Sequence, residues 1–253
     1  MQVTHSPAAA ALQIEREAEQ CGRLYAPPLS PSADKVLMIV TIDGPAGTGK
    51  STTARRLSET LGFHFLDTGA MYRIVALRCL ETENNPEDEG AAGRVACSAV
   101  ITFGEGRTYV DGRDVSAAIR TPEVSQAASL VARHPAVRSA MVEQQRRFAA
   151  GRDIVTEGRD QGTIVFPTAE FKFYLTADPV ERARRRFEEL RAQGQPVSLD
   201  ELLAQQEVRD ERDQTRSVAP MRAAEDAIIV DTTGLTIEQV LGKMCGIIRG
   251  EKG

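Results

Sequence analysis

A glycine-rich segment that ends in a lysine and a hydroxyl residue is the most specific chemical signal in the sequence. It matches the pattern G-x-x-x-x-G-K-[ST], in which glycines let backbone N–H groups converge on an anion. Lys50 can bridge terminal phosphates, and the Ser51 hydroxyl can ligate Mg²⁺. The alternative is a glycine-rich turn that binds nothing. We predict a nucleoside-triphosphate site, here called the P-loop, in which the binding residues are Gly44, Pro45, Ala46, Gly47, Thr48, Gly49, Lys50, Ser51 and Thr52.

Such a loop must lie between a strand and a helix, and the sequence predicts both. An apolar strand spans about 35–43 and a helix about 50–61, which Gly62 is placed to end. Further strands alternate with helices, at about 63–67, 153–157, 171–176 and 226–231. This alternation predicts an α/β fold with a doubly wound parallel sheet. Ligand groups gather at the carboxyl ends of such strands, where Thr68 lies.

Residues 84–120 have a different pattern. A loop at 84–90 is followed by three short β segments, with Asp111 and Gly112 as a hairpin turn between two of them. These features predict a small antiparallel β insert outside the main sheet. Helices follow from Thr121, which is placed as an N-cap, to about residue 151, with a break near Pro135.

Three later segments carry the signature of a capping box, in which side chains at both ends of the first helical turn satisfy backbone N–H groups. They lie at 178–181, 198–201 and 236–239. Each predicts the start of a helix.

Two arginine-rich stretches could supply positive charge. Arg209, Arg212 and Arg216 have the spacing of a single helical face, with Asp210 and Asp213 between them. One interpretation is a solvated helix with internal ion pairs. The other is a cation cluster over phosphates, because phosphoryl transfer needs positive charge around the transferred group.

The second stretch leaves open which side chains reach a ligand. Arg182, Arg184, Arg185 and Arg186 span several helical faces, so we expect only one or two to reach phosphates, with Arg186 first. Asp160 follows a buried strand next to Arg159, and it could bind a ligand or serve as a helix cap or ion-pair partner.

Composition limits the remaining classes. The 253 residues carry a net charge of −5, which argues against a general nucleic-acid-binding surface. The four cysteines are scattered, and the chain shows neither a membrane-length apolar run nor a secretory signal. We expect a cytoplasmic monomer with reduced thiols. Residues 1–34 are predicted to be a flexible arm, or a start derived from expression or annotation.

Several segments together resemble the bacterial-type cytidylate kinases of the nucleoside monophosphate kinase superfamily. The matching segments are 42–51, 66–73, 114–120, 129–138, 158–167 and 209–216. The resemblance implies that the γ-phosphoryl group of ATP is transferred to CMP, and also to dCMP, with Mg²⁺. It also implies a CORE domain (35–83, 150–181 and 217–253), a nucleoside-monophosphate-binding insert (84–149), and a mobile α-helical lid with the following arginine helix (182–216).

The resemblance assigns roles to particular residues. Those expected at the acceptor are Thr68 and Arg73 for its phosphate or sugar, Ser129, Arg138 and Asp160 for cytosine, and Arg209 and Asp213 for ribose and phosphate. Arg159 belongs to the same substrate-binding set, and Arg186 and Arg216 would neutralise charge during transfer. The sequence departs from the family at Gln161, where an apolar residue is usual, and in its first 34 residues.

Two other functions are open to the same P-loop. A kinase for another small acceptor, such as shikimate, would be distinguished by a substrate panel with ATP. A GTPase-type switch would need an Asn-Lys-x-Asp motif, and the sequence contains no Asn-Lys pair. The segment from Asp231 to Gly234 resembles a switch motif but follows the last predicted strand.

Overall fold

A computed structural model describes residues 37–104, 106–192, 194–216 and 218–250. The arm expected at 1–34 lies outside the described residues. The chain divides into two compact units. One comprises Gly69–Ala150, and the other comprises the described residues of Ala33–Thr68 and Gly151–Gly253. The predicted division into CORE, insert and lid stays a prediction.

The described elements follow one another along the chain in an alternating order. They are β1 (Ile39–Asp43), α1 (Lys50–Leu61), β2 (His64–Asp67), α2 (Thr68–Glu81), α3 (Glu89–Ser98), β3 (Ile101–Gly104), β4 (Arg107–Val110), β5 (Arg113–Asp114), a 3₁₀ turn (Ala118–Arg120), α4 (Pro122–Val131), α5 (Pro135–Ala149), β6 (Ile154–Glu157), a π-helical turn (Gln161–Val165), β7 (Phe171–Thr176), α6 (Pro179–Ala192), α7 (Leu199–Thr215), β8 (Ile228–Asp231) and α8 (Ile237–Ile248).

A five-stranded parallel sheet with flanking helices forms the second unit. Its strand order is β2-β6-β1-β7-β8, and every neighbouring pair is parallel. The predicted α/β class is therefore confirmed. The carboxyl ends of all five strands lie at one edge, and they present Asp43, Asp67, Glu157, Thr176 and Asp231. This is the edge where an open parallel sheet binds ligands.

The core of this unit lies between the sheet and two helices. Leu57 of α1 and Val240 and Met244 of α8 are buried in one cluster with strand residues such as Val40 and Phe173. Burial of these side chains fixes the position of α1, whose first turn follows the P-loop. Gly62 ends α1 in the left-handed conformation, as predicted.

The three predicted capping boxes have different outcomes. The box at 236–239 is present in full, since Thr236 and Gln239 exchange both hydrogen bonds. At 178–181 only half of it forms. The Asp178 carboxylate accepts the Glu181 N–H, but the Glu181 carboxylate binds arginine side chains instead. The prediction at 198–201 is wrong, because within the described residues Ser198 makes no side-chain cap bond.

The unit of Gly69–Ala150 contains the predicted antiparallel insert. Strands β3, β4 and β5 form a three-stranded antiparallel sheet. Asp111 and Gly112 have φ values of 51° and 79°, which agree with the predicted type I′ turn. Thr121 caps α4 through a hydrogen bond from the Val124 N–H, as predicted.

Helix α3 was not predicted. The sequence indicated a loop to residue 90, whereas the helix begins at Glu89 with Asp88 as its cap. Two glycines, Gly90 and Gly93, weaken the helical signal. Gly93 lets α3 approach α5 closely, since a Cβ there would lie 2.9 Å from the Ala136 Cβ. Tertiary packing therefore supplies what propensity lacks.

Membrane-spanning helices were also sought. Across the described ranges, none of the helices combines the length and the apolar character needed to cross a bilayer.

Candidate active site

The P-loop has the backbone shape that the sequence predicts. Gly44, Gly47 and Gly49 have φ values of 136°, 80° and 85°. A Cβ at Gly44 would lie 2.1 Å from the Leu175 carbonyl oxygen, and one at Gly47 would lie 3.0 Å from the Arg182 Cβ. The tight turn and the close approach of β7 and α6 therefore require glycine at these positions.

Lys50 begins α1 and is buried with its Nζ 2.6 Å from the Pro45 carbonyl oxygen, to which it donates a hydrogen bond. Burial, followed by the positive charges of Arg159 and Arg209, holds the pKa of Lys50 well below its usual value, against the opposing charges of Glu157 and Asp43. A neighbouring anion would remove this penalty on the charged ammonium. The next two residues, Ser51 and Thr52, are exposed.

Two side chains from later elements hold the P-loop carbonyls, and sequence reasoning assigned neither of them this role. Arg182 of α6 donates from Nη1 to the Ala46 carbonyl at 3.0 Å and to the Asp210 carboxylate at 2.5 Å. Thr232 donates from Oγ1 to the Thr48 carbonyl at 3.3 Å. Thr232 belongs to the segment from Asp231 to Gly234, so in this fold the switch-like segment supports the P-loop.

The arginine helix α7 is integrated into the sheet unit rather than solvated. The Arg159 Nε donates to the Asp213 carboxylate at 3.0 Å, and both side chains are mostly buried. Burial by itself raises the pKa of Asp213, but Arg159, Arg209 and Arg216 outweigh it and hold that pKa below its usual value. The two aspartates of α7 thus pair with arginines of other elements, which favours the cation cluster over the solvated helix.

The end of α7 reaches the loop after β6. The Arg216 Nη2 lies 3.9 Å from the Asp160 Oδ1, and both side chains are buried. Asp160 is thus the ion-pair partner that one interpretation of the sequence allowed. At the end of β2, the Thr68 Oγ1 donates to the Glu157 carbonyl at 2.6 Å, which links the two neighbouring strand ends.

Arg186 has a different environment from Arg182. Its side chain is exposed and donates to the Glu189 carboxylate on the same helix at 2.6 Å. Arg184 is also exposed and pairs with Glu181 and Glu188, whereas Arg185 donates to the Thr232 carbonyl at 2.7 Å. The role of Arg186 in charge neutralisation stays a prediction.

The remaining predicted residues belong to the unit of Gly69–Ala150. Arg73 is half-buried in α2. Ser129 of α4 donates to the Gln126 carbonyl at 3.0 Å. Arg138 of α5 is buried, and its guanidinium carbon lies 5.8 Å from the centre of the Tyr72 ring. Their expected contacts with an acceptor nucleotide stay predictions.

The donor set for a metal is small. Among the residues that the structure describes, there is no group of three or more His, Cys, Asp or Glu side chains arranged to hold an ion. The exposed Ser51 hydroxyl at the start of α1 is compatible with Mg²⁺, which keeps several waters and binds phosphate oxygens with few protein ligands.

Comparisons with known proteins agree with this site. The sequence model of the family described as "Cytidylate kinase" matches residues 40–250. A cytidylate kinase of Rhodopirellula baltica is 47% identical over 212 residues, which cover 84% of this chain and 93% of that protein. Those of Caldanaerobacter subterraneus and Carboxydothermus hydrogenoformans are 46% and 48% identical, over 83% of this chain and 94% and 97% of their own lengths.

Proposed function

The chain belongs to the cytidylate kinase family, and we propose that it transfers the γ-phosphoryl group of ATP to CMP and dCMP with the residues described above. The observation that carries the proposal is the accumulation of positive charge around the buried Lys50. Arg159 and Arg209 both act on this ammonium, so the site is electrostatically incomplete without anions. Phosphate groups of two nucleotides would supply them.

The P-loop residues provide binding and orientation. Backbone N–H groups between Gly44 and Ser51 would surround the donor phosphates, and the first turn of α1 would add its partial positive charge. Lys50 would leave the Pro45 carbonyl and bind a phosphate oxygen. Because the acceptor phosphate is already nucleophilic, positioning and charge neutralisation would account for most of the rate, without a strong base.

Mg²⁺ would be held by the Ser51 hydroxyl, water and nucleotide phosphates. It would neutralise charge on the phosphate oxygens while they are in place. The protein's share of this arrangement is the position of Ser51 on the first turn of α1, next to Lys50.

Acceptor binding is assigned to residues that the family resemblance names. We propose that Thr68 and Arg73 contact the acceptor phosphate or sugar, and that Arg159, Arg209 and Asp213 hold ribose and phosphate. Ser129, Arg138 and Asp160 would read cytosine, and Arg186 and Arg216 would neutralise charge during transfer. The hydrogen bond between Arg159 and Asp213 fixes one member of this set before a ligand arrives.

Three broader assignments are part of the same proposal. Residues 182–216 would act as a lid, residues 84–149 as the acceptor-binding insert, and residues 1–34 as a dispensable arm. We also propose a cytoplasmic monomer that binds neither nucleic acid nor membranes, on the basis of the net charge of −5 and the nucleotide substrates.

The test is a coupled assay with ATP across CMP, dCMP, UMP, AMP and shikimate, for the wild type and for Lys50→Ala. We expect CMP and dCMP to be the best acceptors. In Lys50→Ala, kcat should fall by about 100-fold or more, because a charge that stabilises the transferred group is lost. Lys243→Ala removes an exposed lysine from α8 and serves as the matched control, with unchanged kinetics.

Circular dichroism and urea unfolding would establish that both variants are folded. Near-normal turnover in folded Lys50→Ala would refute the mechanism. Faster phosphorylation of shikimate than of any nucleotide would refute the acceptor.

A further inference from the structure

Asp43 is a buried acid that the proposed mechanism does not use. It ends β1 and immediately precedes the P-loop. Its Oδ1 accepts the Gln161 backbone N–H and its Oδ2 accepts the Gly162 N–H, both at 2.8 Å. Two short hydrogen bonds from consecutive N–H groups need an ionised carboxylate, because only that form offers acceptor oxygens on both sides.

The two N–H groups belong to the segment that carries Arg159 and Asp160. This segment leaves β6 with the Gly158 N–H bonded to the Ile42 carbonyl at 3.0 Å, next to Asp43 in the chain. It then forms the π-helical turn, whose first residue Gln161 also accepts a hydrogen bond from the Thr156 hydroxyl. Asp43 therefore fastens the far side of the segment, just after Arg159 and Asp160.

We propose that Asp43 is a positioning residue for the acceptor nucleotide, acting through the segment that holds Arg159 and Asp160. The inference rests on the proposed function, because it takes these two residues to contact CMP. Asp43 itself would touch neither substrate. Its effect would be a preformed acceptor site, which lowers the ordering that CMP must impose on binding.

The charges that face Asp43 come from three directions. Asp160 lies in the same segment that Asp43 holds, Lys50 comes from α1, and Tyr174 of β7 is its register partner. Burial raises the pKa of Asp43 to about 7, against the opposing effect of the two N–H groups. Protonation would take one oxygen away from its N–H group within the range of an ordinary kinetic experiment.

The test is Asp43→Asn, which keeps the shape but places an NH₂ group opposite one of the two N–H donors. We expect KM for CMP to rise about tenfold or more, with kcat and KM for ATP within about threefold of the wild type. The matched control is Thr41→Val, which removes a buried hydroxyl from the same strand. Within the described residues that hydroxyl has no hydrogen-bond partner, so its loss should leave both KM values unchanged.

A second measurement uses cytidine, which has no phosphate to titrate, as an inhibitor competitive with CMP. In the wild type its inhibition constant should rise as the pH falls from about 8 to about 6, and this inflection should be missing in Asp43→Asn. The wild-type profile remains decisive if the variant does not fold, and a flat profile would overturn the proposal.

Parallel losses in KM for ATP and in kcat would also overturn it, since they would indicate a general support of the P-loop. An unchanged KM for CMP in folded Asp43→Asn would do the same. A wild type that does not phosphorylate CMP would instead refute the proposed function itself, so the two failures can be told apart.

Discussion

The Asp43→Asn substitution should also change stability, and in the opposite direction to its effect on CMP binding. The pKa of Asp43 is raised from 3.8 to about 7, chiefly by burial. For an acid with a raised pKa, the stabilising contribution is complete below the unfolded value, near 3.8, and is lost as the pH rises through the folded value. The carboxylate at neutral pH therefore costs stability.

The magnitude follows from the two pKa values. They differ by about three pH units at about 1.4 kcal/mol each, so ionisation of Asp43 costs about 4 kcal/mol by the time the pH exceeds 7. The amide that replaces it in the variant would resemble the protonated carboxyl in shape but would not titrate. The free energy of unfolding of the variant should therefore gain on the wild type by about 1.4 kcal/mol per pH unit between about pH 4.5 and 6.5, and then level off.

The assay is urea unfolding of both proteins at pH 5, 6, 7 and 8, with the difference in unfolding free energy plotted against pH. The other titrating groups largely cancel in this difference. Thr41→Val should show a constant difference, since it removes no charge. If the advantage of Asp43→Asn shrinks as the pH rises, the carboxylate is stabilised by its two N–H donors more than burial penalises it, and the reasoning is refuted.

Four further outcomes are expected. The affinity for ATP should weaken with rising pH well below 10.5, because burial and two arginines lower the pKa of Lys50, and Lys50→Ala should lack this dependence in isothermal titration. Asp160→Asn should lower kcat/KM for CMP more than for UMP, since an amide can donate to the uracil O4; equal losses would make Asp160 structural. Hydrogen exchange in residues 182–216 should slow with a bisubstrate analogue, and unchanged exchange would argue against a lid. Removal of residues 1–31 should leave melting and kinetics unchanged, because the family match begins at residue 40, and lost activity would show that the arm is needed.

The sequence predicts the sheet unit well because its signals are local. The P-loop pattern, the apolar strands and the residues at α1 and at Thr236 each act within a few positions, and all of them reappear in the structure. The hairpin at Asp111 and Gly112 is equally local. By contrast, the box at 198–201 fits the capping pattern and does not form, because a pattern records only what a side chain can do.

The supporting contacts could not be predicted because they join residues far apart in the chain. Arg182 reaches the Ala46 carbonyl across 136 positions, and Asp43 reaches the Gly162 N–H across 119. Periodicity placed Arg182 among four similar arginines, and only the packing of α6 on the P-loop distinguishes it. Asp43 had one usable signal, its position at the carboxyl end of the strand before the P-loop.

Buried acids around the P-loop have a consequence for how its arginines should be tested. Asp213 fixes Arg159 and Asp210 fixes Arg182, so replacing either acid by alanine leaves a buried arginine without its partner. Breaking a buried pair in this way costs several kcal/mol and would imitate the loss of a phosphate contact. Replacing an arginine by lysine keeps the charge but removes the forked geometry. An arginine that only supports the fold should then lose stability more than kcat, whereas one that binds the transferred phosphoryl group should lose kcat in a protein of normal stability.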